Sequence, residues 1–339
     1  MIEHNLGTES NELFMQFYFR IYTEISNCKI GSFSKLKNCC APNFEKFRNF
    51  FKAKFCGGFI CKANTFDNVK GKFPISFQVW DCNVKENFKD VLQFDVLNNE
   101  GMAIDVKSVY SLRAKDLINA WFKTTHTNDI ILGYAQHEPN DFQHQRGVYF
   151  ITERPTRPIK LTKINIVQGC IYNAVRLAIP ATWLNDRDQF TKPTAKIMQN
   201  SELLLTGNIN EPKERYLYED NQDFIGNCIV FSLFSKNYTD WQLFKNSEIG
   251  LSGVERDLTV YDLLFQNRQF SPEAEAVLKC ARAFYKLYHT QNDSINATQQ
   301  EVFRAIKVID SDLYQNFTHV FINLRLIVQQ DIYCYGFLK

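Results

Sequence analysis

The sequence predicts an α/β fold whose sheet ends in an antiparallel pair, followed by an α+β region. Three observations predict it. By hydrophobic period the opening segments run helix, strand, helix, strand, strand. Past Asp81 the composition turns charged and rich in loops, and the later segments mix patterned helices with short strands. A boundary follows from that change, with one unit over residues 1–82 and a second over residues 83–339.

Glu9 to Ile25 places Leu13, Phe14, Phe17, Tyr18, Ile21, Tyr22 and Ile25 at the 3.6-residue spacing of a helix packed on a core, with Thr8 or Ser10 as N-cap. Lys29 to Leu36 alternates apolar and polar residues and predicts a strand. Asn43 to Phe55 returns to helical spacing, and Gly57-Gly58 ends that helix. Phe59 to Phe66 and Phe73 to Trp80 read as two strands flanking the loop Asp67 to Lys72, a hairpin longer than the tight two-residue type. A second hairpin turns at Leu97-Asn98-Asn99-Glu100-Gly101. Lys115 to Lys123 and Asn165 to Leu177 predict helices, Gly147 to Thr152 a strand, and Glu273 to His289 a strongly patterned helix capped by Ser271-Pro272. No βαβ unit precedes the opening helix and strand, so the first half of the fold is expected to be supplied elsewhere or lost.

A chain of 339 residues with 45% apolar content can bury a substantial core. Its 30 Phe and 15 Tyr accompany an Asn, Lys and Ile bias, the mark of an AT-rich coding sequence before it is a stacking device. There is no run of about 18 apolar residues and no basic-then-apolar leader, which argues against a membrane span or secretory signal and for a cytoplasmic location. Ten irregularly spaced cysteines read as reduced core thiols. The nearest metal pattern, Cys39-Cys40 with Cys56 and Cys61, would span a predicted helix, so no metal site is expected. The net charge of +2 gives no global sign of a nucleic-acid partner. Between Lys29 and Lys72, however, ten basic residues face only Glu45 and Asp67, an excess that suits phosphate or a solvated surface equally.

Four segments then carry a resemblance. They are LFMQFYFRIYTEI in the opening helix, NTFDNVKGKFPISFQVWD (Asn64 to Asp81), AIPATWLNDRDQF (Ala178 to Phe190) and SPEAEAVLKCARAFYKLYH (Ser271 to His289). In order and content they resemble the post-catalytic half of bacterial adenine-N6 DNA methyltransferases of restriction-modification systems, over roughly residues 6–320. The resemblance implies that residues 1–82 are the C-terminal part of a Rossmann-like methyltransferase sheet and residues 83–339 a target-recognition or accessory region. It also implies DNA as a partner and S-adenosylmethionine as the cofactor of the complete enzyme. Catalysis in that family needs a Gly-rich turn for the cofactor and a Pro-Pro-aromatic loop that polarises the exocyclic amine of the extruded base. Here no two prolines are adjacent and no G-x-G occurs, so no residue of this chain is expected to be catalytic and no cofactor is expected on it alone. An N-terminal methyltransferase polypeptide encoded upstream is the expected second partner. A non-catalytic DNA-binding or protein-interaction remnant is the alternative.

Carried over residue by residue, Phe66 falls where the family stacks an aromatic on the flipped adenine; otherwise it is a core residue closing a strand. Lys70 and Lys72 on the adjoining loop could reach phosphate, or simply line a solvated turn. In Asn185-Asp186-Arg187-Asp188-Gln189, Arg187 suits a guanine edge or phosphate and Asn185 or Gln189 suits adenine, while Asp–Arg pairing at a tied-down helix end explains the same run. Arg154, Arg157, Lys160 and Lys163 form a basic strip for backbone contact or an ordinary connector.

Other chemistry finds little footing. The one E-x-K, Glu211-Pro212-Lys213, has a proline where a nuclease strand needs a ladder donor. His137 and His144 sit in a loop-like stretch that weakly suits metal. No G-x-S-x-G elbow or P-loop lysine is present.

Overall fold

The computed structural model describes residues 12–125, 128–137, 142, 147–156, 158–193, 222–235, 241, 243–251, 259–292 and 297–339. Helix α1 (Leu13–Glu24) buries Met15, Tyr18 and Phe19 along one face, as its apolar spacing requires. The predicted N-caps Thr8 and Ser10 lie outside the described residues. Strand β1 (Lys29–Lys35) passes through α2 (Lys37–Cys40) and a 3-10 turn at Pro42–Phe44 into α3 (Glu45–Phe50). Strand β2 (Ala53–Lys62) follows at once. The helix predicted to Phe55 therefore stops at Phe50. The spacing Phe44, Phe47, Phe51 does continue a helical stripe, but Ala53, Lys54 and Phe55 pair with β3 (Pro74–Lys85), and this pairing overrides local periodicity.

Strands β4 (Val91–Leu97) and β5 (Ala103–Tyr110) form the second predicted hairpin. Together the strands make one five-stranded mixed sheet in the order β1-β3-β2-β4-β5. β3 is antiparallel to both β1 and β2, β2 runs parallel to β4, and β4 is antiparallel to β5. Because β3 runs through Cys82 to Lys85 and β4 and β5 join beyond β2, the sheet extends past the compositional boundary at residue 82 as far as Tyr110. One face carries the core: Tyr18, Phe44, Phe47 and Phe51 from the helical side pack on Ile60, Trp80, Leu92 and Phe94. Each such aromatic contributes about 1.5–3 kcal/mol by leaving water.

The rest of the chain builds a second core. Helix α4 (Ile118–Lys123) precedes β6 (Ile131–Gln136), β7 (Tyr149–Ile151) and β8 (Pro158–Thr162), an antiparallel sheet ordered β7-β6-β8. Around it lie α5 (Ile166–Ala178), α6 (Gln222–Phe234), α7 (Thr259–Phe265), α8 (Pro272–Gln291), α9 (Gln299–Ile309) and α10 (Ser311–Cys334). α6 is buried on every side from Phe224 to Phe234, the position of a central core helix. The cap predicted for α8 is present: Ser271 accepts the Ala274 N–H at 3.2 Å and Pro272 occupies the first turn. Arg325 and Gln329 of α10 donate to the Ala178 carbonyl at 2.6 and 2.8 Å, satisfying the buried C-terminal end of α5. Among the described residues no helix is long and apolar enough to cross a membrane.

The two cores meet along residues 183–191. Trp183 and Leu184 pack on the first core and Phe190 belongs to the second. Thr191 pairs with Leu117 and donates its N–H to Phe337 O at 2.8 Å. Across the seam, Lys107 of β5 donates to Leu184 O at 2.9 Å and to Asp188 Oδ2 at 2.7 Å.

Candidate nucleic-acid interface

After β2 the chain makes one 3-10 turn, Ala63–Thr65, and the loop is closed where Ala63 N–H donates to Phe73 O at 2.9 Å. Asn68 takes the left-handed conformation, φ 64°, which asparagine tolerates. This geometry brings Phe66 out of the sheet instead of closing a buried strand. Phe66 is 36% exposed and meets Phe33 edge to face, with centroids 5.2 Å apart. Lys70 and Lys72 are exposed on the same loop. Phe66, Lys70 and Lys72 thus share one corner of the molecule.

Asn185 and Arg187 lie differently. Asn185 accepts the Thr182 N–H at 2.7 Å and donates to Pro180 O at 3.1 Å, so its amide closes a local turn. Arg187 is only 9% exposed; its Nε stands 3.4 Å from Asp186 Oδ2, and its guanidinium lies 5.6 Å from the Phe73 ring centroid. Cys40 Sγ donates to its carbonyl at 3.4 Å. These contacts give the run the tied-down role, with Arg187 shaping the floor beneath the Phe66 loop through Phe73. Trp183 strengthens that floor, with Lys62 Nζ 5.6 Å from its ring centroid.

Arg154 and Lys163 are exposed in the connections beside β8, and Lys160 is exposed on β8 itself, so the basic strip belongs to the second sheet. Arg157 lies outside the described residues, as do His144 and Glu211 to Lys213. His137 is set against Tyr172, edge to face at 6.0 Å.

The basic stretch of residues 29–72 divides by role. Arg48 is buried and donates to the carbonyls of Asn38, Ala41 and Leu112 at 3.2, 2.8 and 2.6 Å, a structural cross-tie. Lys37 pairs with Glu12 at 2.9 Å and Lys52 donates to Asn87 at 2.9 Å. Lys54, Lys70 and Lys72 are exposed.

Burial raises the Cys39 thiol well above its ordinary range, and burial followed by the nearby Asp188 carboxylate pushes Cys40 up to about 12. Burial likewise takes Cys170 to about 12. These thiols stay protonated at neutral pH and are poor nucleophiles. Cys56 is exposed on β2 while Cys39, Cys40 and Cys61 are buried. Among the described residues no three His, Cys, Asp or Glu side chains are grouped to hold a metal ion.

Phe33, Phe59 and Phe77 were not singled out by sequence, yet Phe33 meets Phe66 and the other two rings pack on Phe33. Their signal is an aromatic between small or polar neighbours in β1 and β3, Ser32-Phe33-Ser34 and Ser76-Phe77-Gln78, and after the glycine pair in β2, Gly57-Gly58-Phe59. No protein-family model, curated protein or solved structure matches this chain. The reading of the site therefore stands on its own geometry and on the sequence resemblance.

Proposed function

We infer that this chain is the DNA-recognition and sheet-completing part of an adenine-specific DNA methyltransferase of restriction-modification type, inactive alone. The observation that carries this reading is the meeting of two resemblance segments. Asn64 to Asp81 and Ala178 to Phe190, far apart in sequence, pack together through Arg187 on Phe73, and Trp183 lies beside Lys62, two residues ahead of the first segment. Further support comes from the end of the sheet, where β3 lies antiparallel between β1 and β2, the antiparallel ending expected of a Rossmann-like methyltransferase sheet. In this reading Phe66 supports the extruded base, Lys70 and Lys72 reach nearby phosphates, and Arg154 and Arg157 contact the backbone farther along.

The turn from β1 into α2 does not fit the methionine part of S-adenosylmethionine. The turn from β1 into α2 is Lys35-Leu36-Lys37, with Leu36 O already accepting from Cys39 and Cys40 at 2.9 and 3.1 Å. It has no glycine at which backbone could approach a ligand. The proposal places the cofactor on a companion polypeptide. The outer edge of β1, which has no partner strand among the described residues, suits its attachment.

The test is methyl transfer to adenine in duplex DNA, with this protein alone, the upstream-encoded polypeptide alone, and both together. Transfer is expected only in the mixture, and calorimetry is expected to show no cofactor binding by this chain. Tight binding of S-adenosylmethionine to the isolated chain would overturn the reading. DNA binding in mobility-shift assays without any rescue of methylation would favour a DNA-binding remnant instead.

A further inference from the structure

We propose that the open face of the five-stranded sheet is a stacking platform for unpaired nucleotides. The proposal rests on the DNA-binding reading above and deepens it, extending the role of Phe66 to a wider surface.

Side chains that pair across neighbouring strands share a face. By register Phe33 of β1 stands opposite Phe77 of β3, which stands opposite Phe59 of β2. Ring centroids are 4.9 Å apart for Phe33 and Phe77, and 5.4 Å for Phe59 and Phe77. Phe66 extends this row from the loop side. None of the four rings belongs to either buried core, and Phe33 is 49% exposed. A contiguous aromatic patch of this kind on a sheet marks a binding surface.

The neighbouring row, two residues along and so about 7 Å away, is Gly31, Val79 and Gly57. Two of its three positions carry no side chain. A Cβ at Gly31 would stand 3.2 Å from Phe77 Cζ, so the glycine lets that ring lean over β1. Around Gly57, at φ 140°, a Cβ would meet nothing within 4 Å. The result is a shallow trough beside a ridge of rings.

Charge decides between a protein and a nucleic-acid occupant. The next row holds Lys29, Asp81 and Lys54, and on the other side of the rings Lys35 pairs with Ile75. Lys35, Lys70 and Lys72 border the rings and Lys29 and Lys54 stand beyond the trough, against Asp67, Asp81 and Asp95, and Asp81 already stands 3.7 Å from Lys29. Protein interface cores are depleted of lysine. Rings bordered by lysine are the arrangement that binds single strands, with bases on the rings and phosphates on the cations.

The test uses the full chain and a fluorescein-labelled oligothymidylate, followed by anisotropy at low and moderate salt. Binding tighter than to a duplex of equal length is expected. Phe33→Ala and Phe66→Ala should each weaken it about tenfold. Phe33→Trp should retain it, and circular dichroism should show each variant folded. Lys70→Ala with Lys72→Ala should weaken binding and flatten its salt dependence. Unchanged binding in the alanine variants, or preference for the duplex, would overturn the platform. So would a change in self-association by Phe33→Ala without a change in oligonucleotide affinity, which would give the face to a protein partner. The assay needs neither methyl donor nor companion polypeptide. Methylation restored by the companion without oligonucleotide binding would sink the platform alone, and binding without restored methylation would sink the enzyme reading alone.

Discussion

Gln78 holds together the polar interior of the first core. Its side-chain nitrogen lies 2.8 Å from Ser76 Oγ, 3.0 Å from Ser34 Oγ and 3.2 Å from Asn38 Oδ1, and its oxygen accepts from Asn38 Nδ2 at 2.8 Å and Trp80 Nε1 at 3.2 Å. All five residues are buried, so their polar groups depend on one another and not on water. Gln78→Leu keeps the volume near constant but strands the amide of Asn38 and the indole N–H of Trp80. The expected loss is roughly 3 kcal/mol, the sum of two unmade buried donors. A chemical-denaturation midpoint giving less than about 1 kcal/mol would show that the network relaxes or admits water. The strand was legible from the alternation of Phe73 to Trp80, but the network was not. Serine, asparagine and glutamine at inward positions look like solvent-facing residues until their partners, drawn from β1 and α2, are known.

At the scale of elements, close backbone approach and capping decide local stability. Gly58 lies on β2 beside the bulge between Phe55 and Gly57, and a Cβ there would stand 2.2 Å from the Phe77 carbonyl oxygen and 3.0 Å from a Phe94 ring carbon. Because a carbonyl within the ladder cannot swing away, Gly58→Ala should cost about 3 kcal/mol or abolish soluble expression. The yield and urea midpoint of that variant test this; a loss under about 1 kcal/mol would refute it. In α9, Thr298 and Glu301 form a reciprocal capping box. The Thr298 N–H, then its hydroxyl, hold the Glu301 carboxyl below its ordinary range. A depressed folded pKa adds stability that is present above the usual carboxylate range and lost as pH falls through the folded value. Thr298→Ala should therefore cost about 1 kcal/mol at neutral pH and progressively less on acidification, as thermal melts across that range can show. This cap could be read from sequence as Thr-x-x-Glu before an apolar repeat, as Ser271-Pro272 was read for α8. α6 could not: buried on all sides, it has no amphipathic stripe, and an apolar run of its length does not distinguish helix from strand. The early end of α3 was equally hidden, because the strand partner of Ala53 to Phe55 lies in β3.

Across the whole molecule, the two cores are coupled through a seam whose main polar link is Lys107 with Asp188. The pair is 2.7 Å apart, with the lysine side chain 12% and the aspartate side chain 29% exposed. Burial raises the Asp188 carboxyl above its ordinary value, and Lys107 pulls it back only in part. A composition boundary at residue 82 gives no hint of this link, since Lys107 and Asp188 sit on opposite sides of the seam and far apart in the chain. Lys107→Met would leave the carboxylate poorly solvated without its cation, at a cost of roughly 3 kcal/mol at neutral pH. The sign of the pH effect follows from the raised pKa. The folded state holds the Asp188 proton more tightly than the unfolded chain, so the stability it contributes is lost as pH rises through the folded value. Removing the lysine raises that value further, and the penalty should shrink as pH is lowered toward the carboxylate range. Urea denaturation of Lys107→Met against the parent at neutral and mildly acidic pH measures it. An equal loss at both would mean that the ion pair is open to water and that apolar packing of Trp183, Leu184 and Phe190 alone joins the cores.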